Sequence, residues 1–348
     1  MANKLDTLFF FGRPFGPLYG LVMKIRQKLY TKQVFNQENP GATVISVGNL
    51  VLGGTGKTPT VIHIAQMLKA YGLKPAIVSR GYGGKSKDPI NVVSDGRSIL
   101  MTPDSAGDEP VLLAHSINGV PVLTGRKRIL PCRYAVAHFG VDIILLDDGF
   151  QHMGVSRDLN LVLFDASELA GNSRIFPGGP LREPVAALHR SSAFLITGQN
   201  DNNRKRSDAF AELLRSKFEG VPVFTSSISV PTIVDANENI VNAQDIKNAY
   251  LFCAIANPER VTASVKSLDI NVSGSIEYKD HKTYHQQTIT TLCENATQAN
   301  AGCLITTSKD FVKVKDLHFS LPLFVLHITQ EPEPDFDSFI LEMIPHKG

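Results

Sequence analysis

The chain has 348 residues, of which 43% are hydrophobic and 20% charged, and its formal net charge at pH 7 is +2. This composition is typical of a folded protein of about two domains and excludes a disordered, collagen-like or polytopic membrane chain. So small a positive surplus gives no reason to expect nucleic acid as a partner. The four cysteines are scattered without zinc-site spacing, which indicates a reduced, cytoplasmic compartment and no structural zinc.

An amphipathic helix is predicted near the N-terminus, where Leu18, Val22, Ile25 and Leu29 recur at helical spacing. Four cationic side chains flank this apolar stripe, namely Lys24, Arg26, Lys28 and Lys32. Aromatic side chains precede it, namely Phe9, Phe10, Phe11, Phe15 and Tyr19. From the pattern alone, a helix that packs on its own domain and one that lies in a membrane headgroup layer fit equally well. No run reaches the roughly 18 apolar residues that span a bilayer, and we expect no secretory signal.

Short β-branched runs then alternate with helical stretches. Strands are predicted at 43–47, 76–79, 121–123, 142–146, 161–164 and 194–197, and helices at 58–71, 109–116, 128–138 and 204–218. A second alternation predicts strands at 250–254, 273–278, 303–307 and 323–327, and helices at 258–268 and 283–296. Such alternation is typical of mostly parallel sheets covered by helices.

A glycine-rich motif follows the first strand and opens the first of these helices. Glycines let backbone N–H groups turn toward phosphate oxygens, and the helix N-terminus adds positive potential. In such a loop Lys57 bridges the β- and γ-phosphates and the Thr58 hydroxyl binds Mg²⁺. The motif predicts a nucleoside triphosphate site made by Gly53, Gly54, Thr55, Gly56, Lys57 and Thr58.

Two carboxylates, Asp147 and Asp148, follow the apolar strand at 142–146. Because the carboxyl ends of parallel strands open onto the ligand crevice, both are expected near the nucleotide. Neighbouring residues of an extended chain face opposite sides, so one of the two would hold Mg²⁺; the sequence leaves open which.

These elements predict an α/β fold of P-loop NTPase type, with a mostly parallel sheet flanked by helices and a second, smaller α/β domain. The expected division is an N-terminal amphipathic, membrane-associating segment at 1–40, the P-loop domain at 41–225, a polar linker at 226–248 and the smaller domain at 249–348.

The run Asp147-Asp148-Gly149-Phe150-Gln151-His152, together with the glycine loop, closely resembles the tetraacyldisaccharide 4′-kinase family of Gram-negative bacteria. Further matching motifs occur in the same order, at residues 80–84, 107–110, 179–183, 256–258, 280–281 and 307–310. The resemblance covers residues about 43 to 315. It implies transfer of the ATP γ-phosphoryl group to the 4′-hydroxyl of an acylated glucosamine disaccharide 1-phosphate, a lipid A precursor, with ATP and Mg²⁺ as cofactors.

The resemblance also implies roles for individual residues. Asp108 would act as base or orienting group for the sugar hydroxyl, assisted by His281 from the smaller domain, so that the two domains must close. An arginine is expected after the strand at 121–123, either Arg126 or Arg128, with the count favouring Arg128. Arg182 is expected at the phosphates, and Glu109 and Glu183 near the metal with Thr58, Asp147 and Asp148.

A lipid substrate favours the membrane interpretation of the N-terminal helix. We therefore expect a monomeric protein attached peripherally to the cytoplasmic face of the inner membrane. The main alternative is a partition-type or metallochaperone-type ATPase switch, but partition-type loops carry a signature lysine where this chain has Leu52. A dinucleotide-binding oxidoreductase lacks support, because Lys57 and Thr58 follow the glycines. A kinase of soluble sugars is the nearest competitor of the same class.

Overall fold

The computed structural model describes residues 4–255, 257–280 and 282–345, without the side chains of residues 4–6. The helices are α1 Lys4–Gly12, α2 Gly16–Thr31, α3 Lys57–Ala70, α4 Pro103–Ala106, α5 Asp108–Ser116, α6 Ile129–Phe139, α7 Arg204–Lys217, α8 Pro258–Lys266, α9 Gln286–Gln298, α10 Ser308–Val314 and α11 Pro334–Glu342. Short 3₁₀ turns occupy Arg13–Phe15, Val185–Arg190 and Ala243–Asp245.

The strands form two separate sheets. Their bounds are β1 Thr43–Asn49, β2 Pro75–Ser79, β3 Asn91–Ser94, β4 Val122–Thr124, β5 Ile143–Asp147, β6 Leu159–Asp165, β7 Ala193–Gln199, β8 Val223–Ile228, β9 Thr232–Val234, β10 Ile240–Val241, β11 Asn248–Cys253, β12 Asn271–Glu277, β13 Cys303–Thr307, β14 Leu323–His327 and β15 Gln330–Pro332. The predicted strands and helices all form, with ends that differ by a few residues.

The larger sheet has the order β15-β8-β7-β6-β1-β5-β2-β4-β3. Its interior strands are parallel, and only β3 and β15, at the two edges, run antiparallel to their neighbours. Alternate side chains of β1 enter cores on opposite faces of the sheet. Ile45 packs with α3, α5 and α11, whereas Val44 packs with α6. The predicted mostly parallel sheet flanked by helices is thereby confirmed.

The smaller sheet has the order β10-β9-β14-β13-β11-β12. Strands β11 to β14 are parallel, and β9 and β10 add an antiparallel edge. Val261 and Val265 of α8 pack in the core on one face, and Ile289 and Leu292 of α9 pack on the other. Each sheet therefore has its own hydrophobic cores, as expected for an α/β unit.

Two segments of the chain form sheet or core structure that the sequence did not predict. The polar stretch at 226–248, expected to be a linker, includes β9 and β10 of the smaller sheet. After β14 the chain returns to the larger sheet, where β15 pairs with β8 and α11 packs in the core beside α3. These strands are only two or three residues long, which is too short for a period-2 pattern to mark them. The division into domains itself stays a prediction.

Helix α2 packs on the segment that precedes β7 through its glycines. Both glycines are buried, and a β-carbon at either position would lie in ordinary van der Waals contact with Ile175, at 3.4–3.5 Å. Three of the four residues of the predicted stripe point the other way, with Leu18, Val22 and Ile25 between 49 and 63% exposed, whereas Leu29 is partly buried. Within the described ranges, no helix combines the length and apolarity needed to cross a bilayer.

Candidate active site

The glycine loop connects β1 to the start of α3. Asn49, the last residue of β1, is fully buried and its side-chain amide donates to the Val51 carbonyl at 2.6 Å. Gly56 caps α3 in the left-handed region with φ of +72°, and a β-carbon there would lie 2.3 Å from Gln330 Nε2. The positive φ is the main reason that this position favours glycine, because the Gln330 amide ends a flexible side chain.

Side chains from β7 and β15, two strands that are distant in the sequence, contact the glycine loop and the start of α3. Thr197 of β7 donates to the Thr55 carbonyl at 3.1 Å. Gln330 of β15 places Oε1 2.5 Å from the hydroxyl of Thr60, which also donates to the Gly56 carbonyl at 2.9 Å. Sequence reasoning missed Thr197 and Gln330, since no local motif connects them with the loop.

The two predicted carboxylates lie beside this loop because β5 and β1 are adjacent and parallel, with Asp147 opposite Val47. Arg182 Nη1 donates to both carboxylate oxygens of Asp148 at 2.9 Å, and Lys57 Nζ lies 3.6 Å from Asp148 Oδ1. Burial alone would raise the pKa of Asp148, but Lys57 and Arg182 lower it below its usual range. Asp148 is thus an ionised carboxylate that already holds two cationic side chains.

Asp147 has a different environment. It is 3% exposed, and its Oδ1 makes no hydrogen bond with the part of the chain that the structure describes. Burial, with the negative charges of Glu109 and Asp148, raises the pKa of Asp147 to about 7. A buried carboxylate oxygen without a partner is costly, and a bound cation would relieve that cost.

Arg128 and Arg126 are separated by their burial. Arg128 is 5% exposed, its Nη2 donates to the Asp148 carbonyl at 3.3 Å, and its Nη1 lies 3.3 Å from His152 Nδ1. Arg126 is exposed. Burial and the charge of Arg128 lower the pKa of His152 to about 3, so this imidazole is neutral and can accept a hydrogen bond from the arginine.

Glu183 lies in the segment that carries Arg182. It is 1% exposed, and its Oε2 accepts a hydrogen bond from Arg190 Nη2 at 2.9 Å. Arg190 in turn lies over the ring of Phe150, 4.5 Å from its centroid. The structure therefore pairs Glu183 with a cation that the sequence reasoning did not select, while its Oε1 has no hydrogen-bond partner among the described residues.

Helix α2 contacts the segment that carries Arg182 and the segment that follows Asp148. The Tyr19 hydroxyl donates to the Arg182 carbonyl at 3.1 Å, and Arg26 donates to the Gln151 carbonyl at 3.0 Å. Burial raises the pKa of Tyr19, so its hydroxyl stays protonated and remains a donor. The predicted amphipathic helix is thereby attached to the loops that carry Arg182 and the segment after Asp148.

Asp108 and Glu109 form the first turn of α5, and Glu109 is close enough to Asp147 for its negative charge to raise the Asp147 pKa. Gly107 precedes them with φ of +97°, and a β-carbon there would lie 2.4 Å from the Tyr82 carbonyl oxygen. Asp108 Oδ2 lies 3.6 Å from Lys313 Nζ of α10, a residue that the sequence reasoning also missed. His281, predicted to assist Asp108, lies outside the described residues.

The described residues fit a magnesium ion that is shared with a nucleotide. No three or more His, Cys, Asp or Glu side chains among them are arranged to hold a metal without further ligands. Mg²⁺ typically takes one or two carboxylates and completes its shell with water and substrate phosphates. The unpartnered Oδ1 of Asp147, at a strand end beside the strand that leads into the glycine loop and α3 with Thr58, meets that requirement.

Comparison with known proteins identifies related sequences along nearly the whole chain. The family model for tetraacyldisaccharide-1-P 4′-kinase matches residues 8–345. The tetraacyldisaccharide 4′-kinase of Desulfotalea psychrophila is 42% identical over 340 residues, covering 98% of both chains. That of Syntrophus aciditrophicus is 38% identical and covers 95% of this chain and 91% of the relative.

A solved structure has a similar fold. The crystal structure described as the "apo" form of LpxK from Aquifex aeolicus in complex with ATP aligns with a TM-score of 0.77. It is 26% identical, and the alignment covers 95% of this chain and 98% of that one. The P-loop fold class predicted from the sequence is confirmed by this match.

Proposed function

The chain belongs to the tetraacyldisaccharide 4′-kinase family, and on that premise we propose that it transfers the γ-phosphoryl group of ATP to the 4′-hydroxyl of tetraacyldisaccharide 1-phosphate. The product is the 4′-phosphorylated lipid A precursor. The observation that carries the proposal is a glycine loop beside a paired acidic strand end, with Glu109 of the Asp108 turn close enough to Asp147 to raise its pKa, in a chain that matches this family over residues 8–345.

On the nucleotide side, the backbone of residues 53–56 would face the phosphates, and Lys57 would bridge the β- and γ-phosphates. Lys57 now lies 3.6 Å from Asp148, so its ammonium is already directed toward this edge of the sheet. Thr58 and one carboxylate of the Asp147–Asp148 pair would hold Mg²⁺, with Glu109 and Glu183 as further candidates. When bound, Mg²⁺ supplies positive charge that offsets the negative charge developing on the transferred group.

On the acceptor side, a sugar hydroxyl is a poor nucleophile, so a carboxylate has to accept or orient its proton. We assign this role to Asp108, with His281 as its partner. Arg182 and Arg128 are assigned to phosphate binding and charge stabilisation. Their present contacts with the Asp148 carboxylate and carbonyl support this assignment, because both guanidinium groups lie at the same acidic edge.

Helix α2 is assigned to the membrane surface. The exposed apolar row of Leu18, Val22 and Ile25, flanked by Lys24 and Lys28, is suited to the headgroup layer with the lysines toward anionic lipid. We propose a monomer attached peripherally to the cytoplasmic face of the inner membrane, with an acylated disaccharide lipid as its substrate and no nucleic acid partner.

Identification of the product tests the proposal. Purified protein, ATP, Mg²⁺ and tetraacyldisaccharide 1-phosphate in detergent micelles should yield a lipid that carries one added phosphate. Tandem mass spectrometry should locate that phosphate on the 4′-position. A phosphate on another hydroxyl would overturn the regiochemistry, and phosphorylation of a soluble disaccharide at an equal rate would indicate a kinase of soluble sugars.

A further inference from the structure

Lys313 is a nearly buried cation between two carboxylates of different parts of the fold. It lies in α10, which follows strand β13 of the smaller sheet, and its side chain is 6% exposed. Its Nζ is 2.8 Å from Asp310 Oδ1 and 3.6 Å from Asp108 Oδ2. Removing an ammonium group from water is costly, so its position between two acids has a physical reason.

The Asp310 side of this arrangement is rigidly held. Asp310 is fully buried, and its Oδ2 accepts hydrogen bonds from the Ala254 N–H at 2.8 Å and the Thr307 hydroxyl at 3.0 Å. Its Oδ1 accepts from the Tyr284 hydroxyl at 3.2 Å. Strands β11 and β13 therefore fix Asp310, and Asp310 in turn fixes the position of the Lys313 ammonium.

The ammonium has donors to spare. Its 2.8 Å contact with Asp310 is an ion pair whose angles do not suit a hydrogen bond, and Lys313 Nζ makes no hydrogen bond with the described residues. The ring of Tyr284 covers its other side, with the Nζ 5.2 Å from the centroid. The smaller sheet thus places the Lys313 ammonium next to the first turn of α5.

The acidic residues Asp147 and Asp148 have different partners from Asp108. Asp148 is paired with Lys57 and Arg182 from the phosphate-loop side, and Asp147 has an unpartnered oxygen there. Asp108 instead faces a cation from the smaller sheet.

We propose that Lys313 is a positioning residue for Asp108, holding the acceptor-side carboxylate in place from the smaller sheet. The proposal rests on the proposed function, in which Asp108 faces the sugar hydroxyl. Lys313 touches neither nucleotide nor lipid in this role. Its effect is on the geometry of Asp108, and a displacement of about 1 Å at a reacting group can cost on the order of 100-fold in rate.

The test compares steady-state lipid phosphorylation by wild type, Lys313→Met and Lys313→Arg, with ATP and lipid varied separately. Lys313→Met should lower kcat by roughly 10- to 100-fold while the KM for ATP stays within about twofold. Lys313→Arg keeps the charge and should recover a large part of kcat. A Lys313→Met enzyme with wild-type kcat, or one whose KM for ATP rises as steeply as kcat falls, would overturn the proposal.

Lys315→Met is the matched control. Lys315 is an exposed residue that follows α10, and its Nζ contacts His115 Nε2 of α5 at 2.8 Å without reaching into the buried cluster. This variant should keep wild-type kcat; an equal loss would mean that contact between the two helices matters and the charge beside Asp108 does not.

A double variant covers the case in which Lys313→Met does not fold. Lys313→Met combined with Asp310→Asn removes both buried charges and should show the same kcat loss. An inactive wild type would instead defeat the proposed function.

Discussion

The Tyr19 hydroxyl donates a 3.1 Å hydrogen bond to the carbonyl oxygen of Arg182, the residue whose guanidinium holds the Asp148 carboxylate. One residue of the exposed amphipathic helix therefore contacts the backbone of a residue that pairs with the acidic strand end. Because Gly16 and Gly20 bring the same helix close to the Ile175 segment, the apolar row that points outward is at a defined position relative to the crevice.

Tyr19→Phe removes this hydrogen bond and leaves the ring in place. A net hydrogen bond is worth about 1 kcal/mol, so we expect a fall of up to roughly fivefold in kcat/KM for lipid. The KM for ATP should not change. Tyr30→Phe, which removes a hydroxyl near the C-terminal end of the same helix, is the control. Equal losses in both variants would contradict a specific role for the Tyr19–Arg182 contact.

The exposed row of α2 should govern membrane attachment. Replacing Leu18, Val22 and Ile25 by Ser removes apolar area that is now in water, so folding should be unaffected while binding to anionic liposomes falls by an order of magnitude or more. Sedimentation with liposomes measures the bound fraction. Leu213→Ser, at a 46% exposed leucine of α7, is the control. Unchanged binding of the triple variant would exclude α2 as the membrane-contacting surface.

Lys57→Ala should reduce phosphoryl transfer by at least about 1000-fold, since positioning and charge neutralisation supply most of the catalysis in phosphoryl transfer. Initial rates with labelled ATP measure the loss. The thermal stability of the ligand-free variant should stay close to that of wild type, because the Lys57–Asp148 contact is 3.6 Å long and Arg182 still pairs with Asp148. Turnover near the wild-type rate would contradict the P-loop assignment.

Asp147 should make the ligand-free protein less stable at high pH. Its pKa in the folded protein is about 7, above the ordinary value of 3.8, so between these values the folded state binds a proton that the unfolded chain has released. Stability from this group is therefore lost as the pH rises from about 4 to about 7.

Asp147→Asn removes that loss. Without nucleotide, it should raise the Tm by several degrees at about pH 8.5 and change it little at about pH 3.5, where both the folded and the unfolded state carry most of the proton, while transfer activity is abolished. Differential scanning fluorimetry at both pH values measures this. The same Tm change at both pH values would show that Asp147 does not titrate in this range.

Local patterns predicted most of the fold and the position of the glycine loop beside the acidic strand end. The β-branched run at 43–47 and the glycines after it determine β1, the loop and α3 through contacts close in sequence. Asp147 and Asp148 could be placed because a strand end in a parallel sheet has a known environment. Arg126 and Arg128 could not be separated, since only burial distinguishes them.

Residues that act across the fold carried no such signal. Gln330 contacts Thr60, 270 positions away in the sequence, and Lys313 reaches Asp108 from the other sheet. Strand β15 has three residues and includes Pro332, which suits an edge strand and shows no alternation. Such contacts depend on how the chain returns between sheets, and a single sequence contains no local pattern for that.

The distribution of label from γ-labelled ATP in wild type and Asp108→Asn, with lipid in micelles and a control without lipid, tests the central claim most directly. We expect labelled lipid from wild type and a loss of at least about 100-fold in Asp108→Asn, with nearly unchanged affinity for ATP. Asp104→Asn, an exposed surface acid paired with Lys85, should behave as wild type. Label released only as inorganic phosphate by wild type would contradict the account and indicate a nucleotide switch, and equal losses of transfer and ATP binding would make Asp108 a nucleotide or metal ligand.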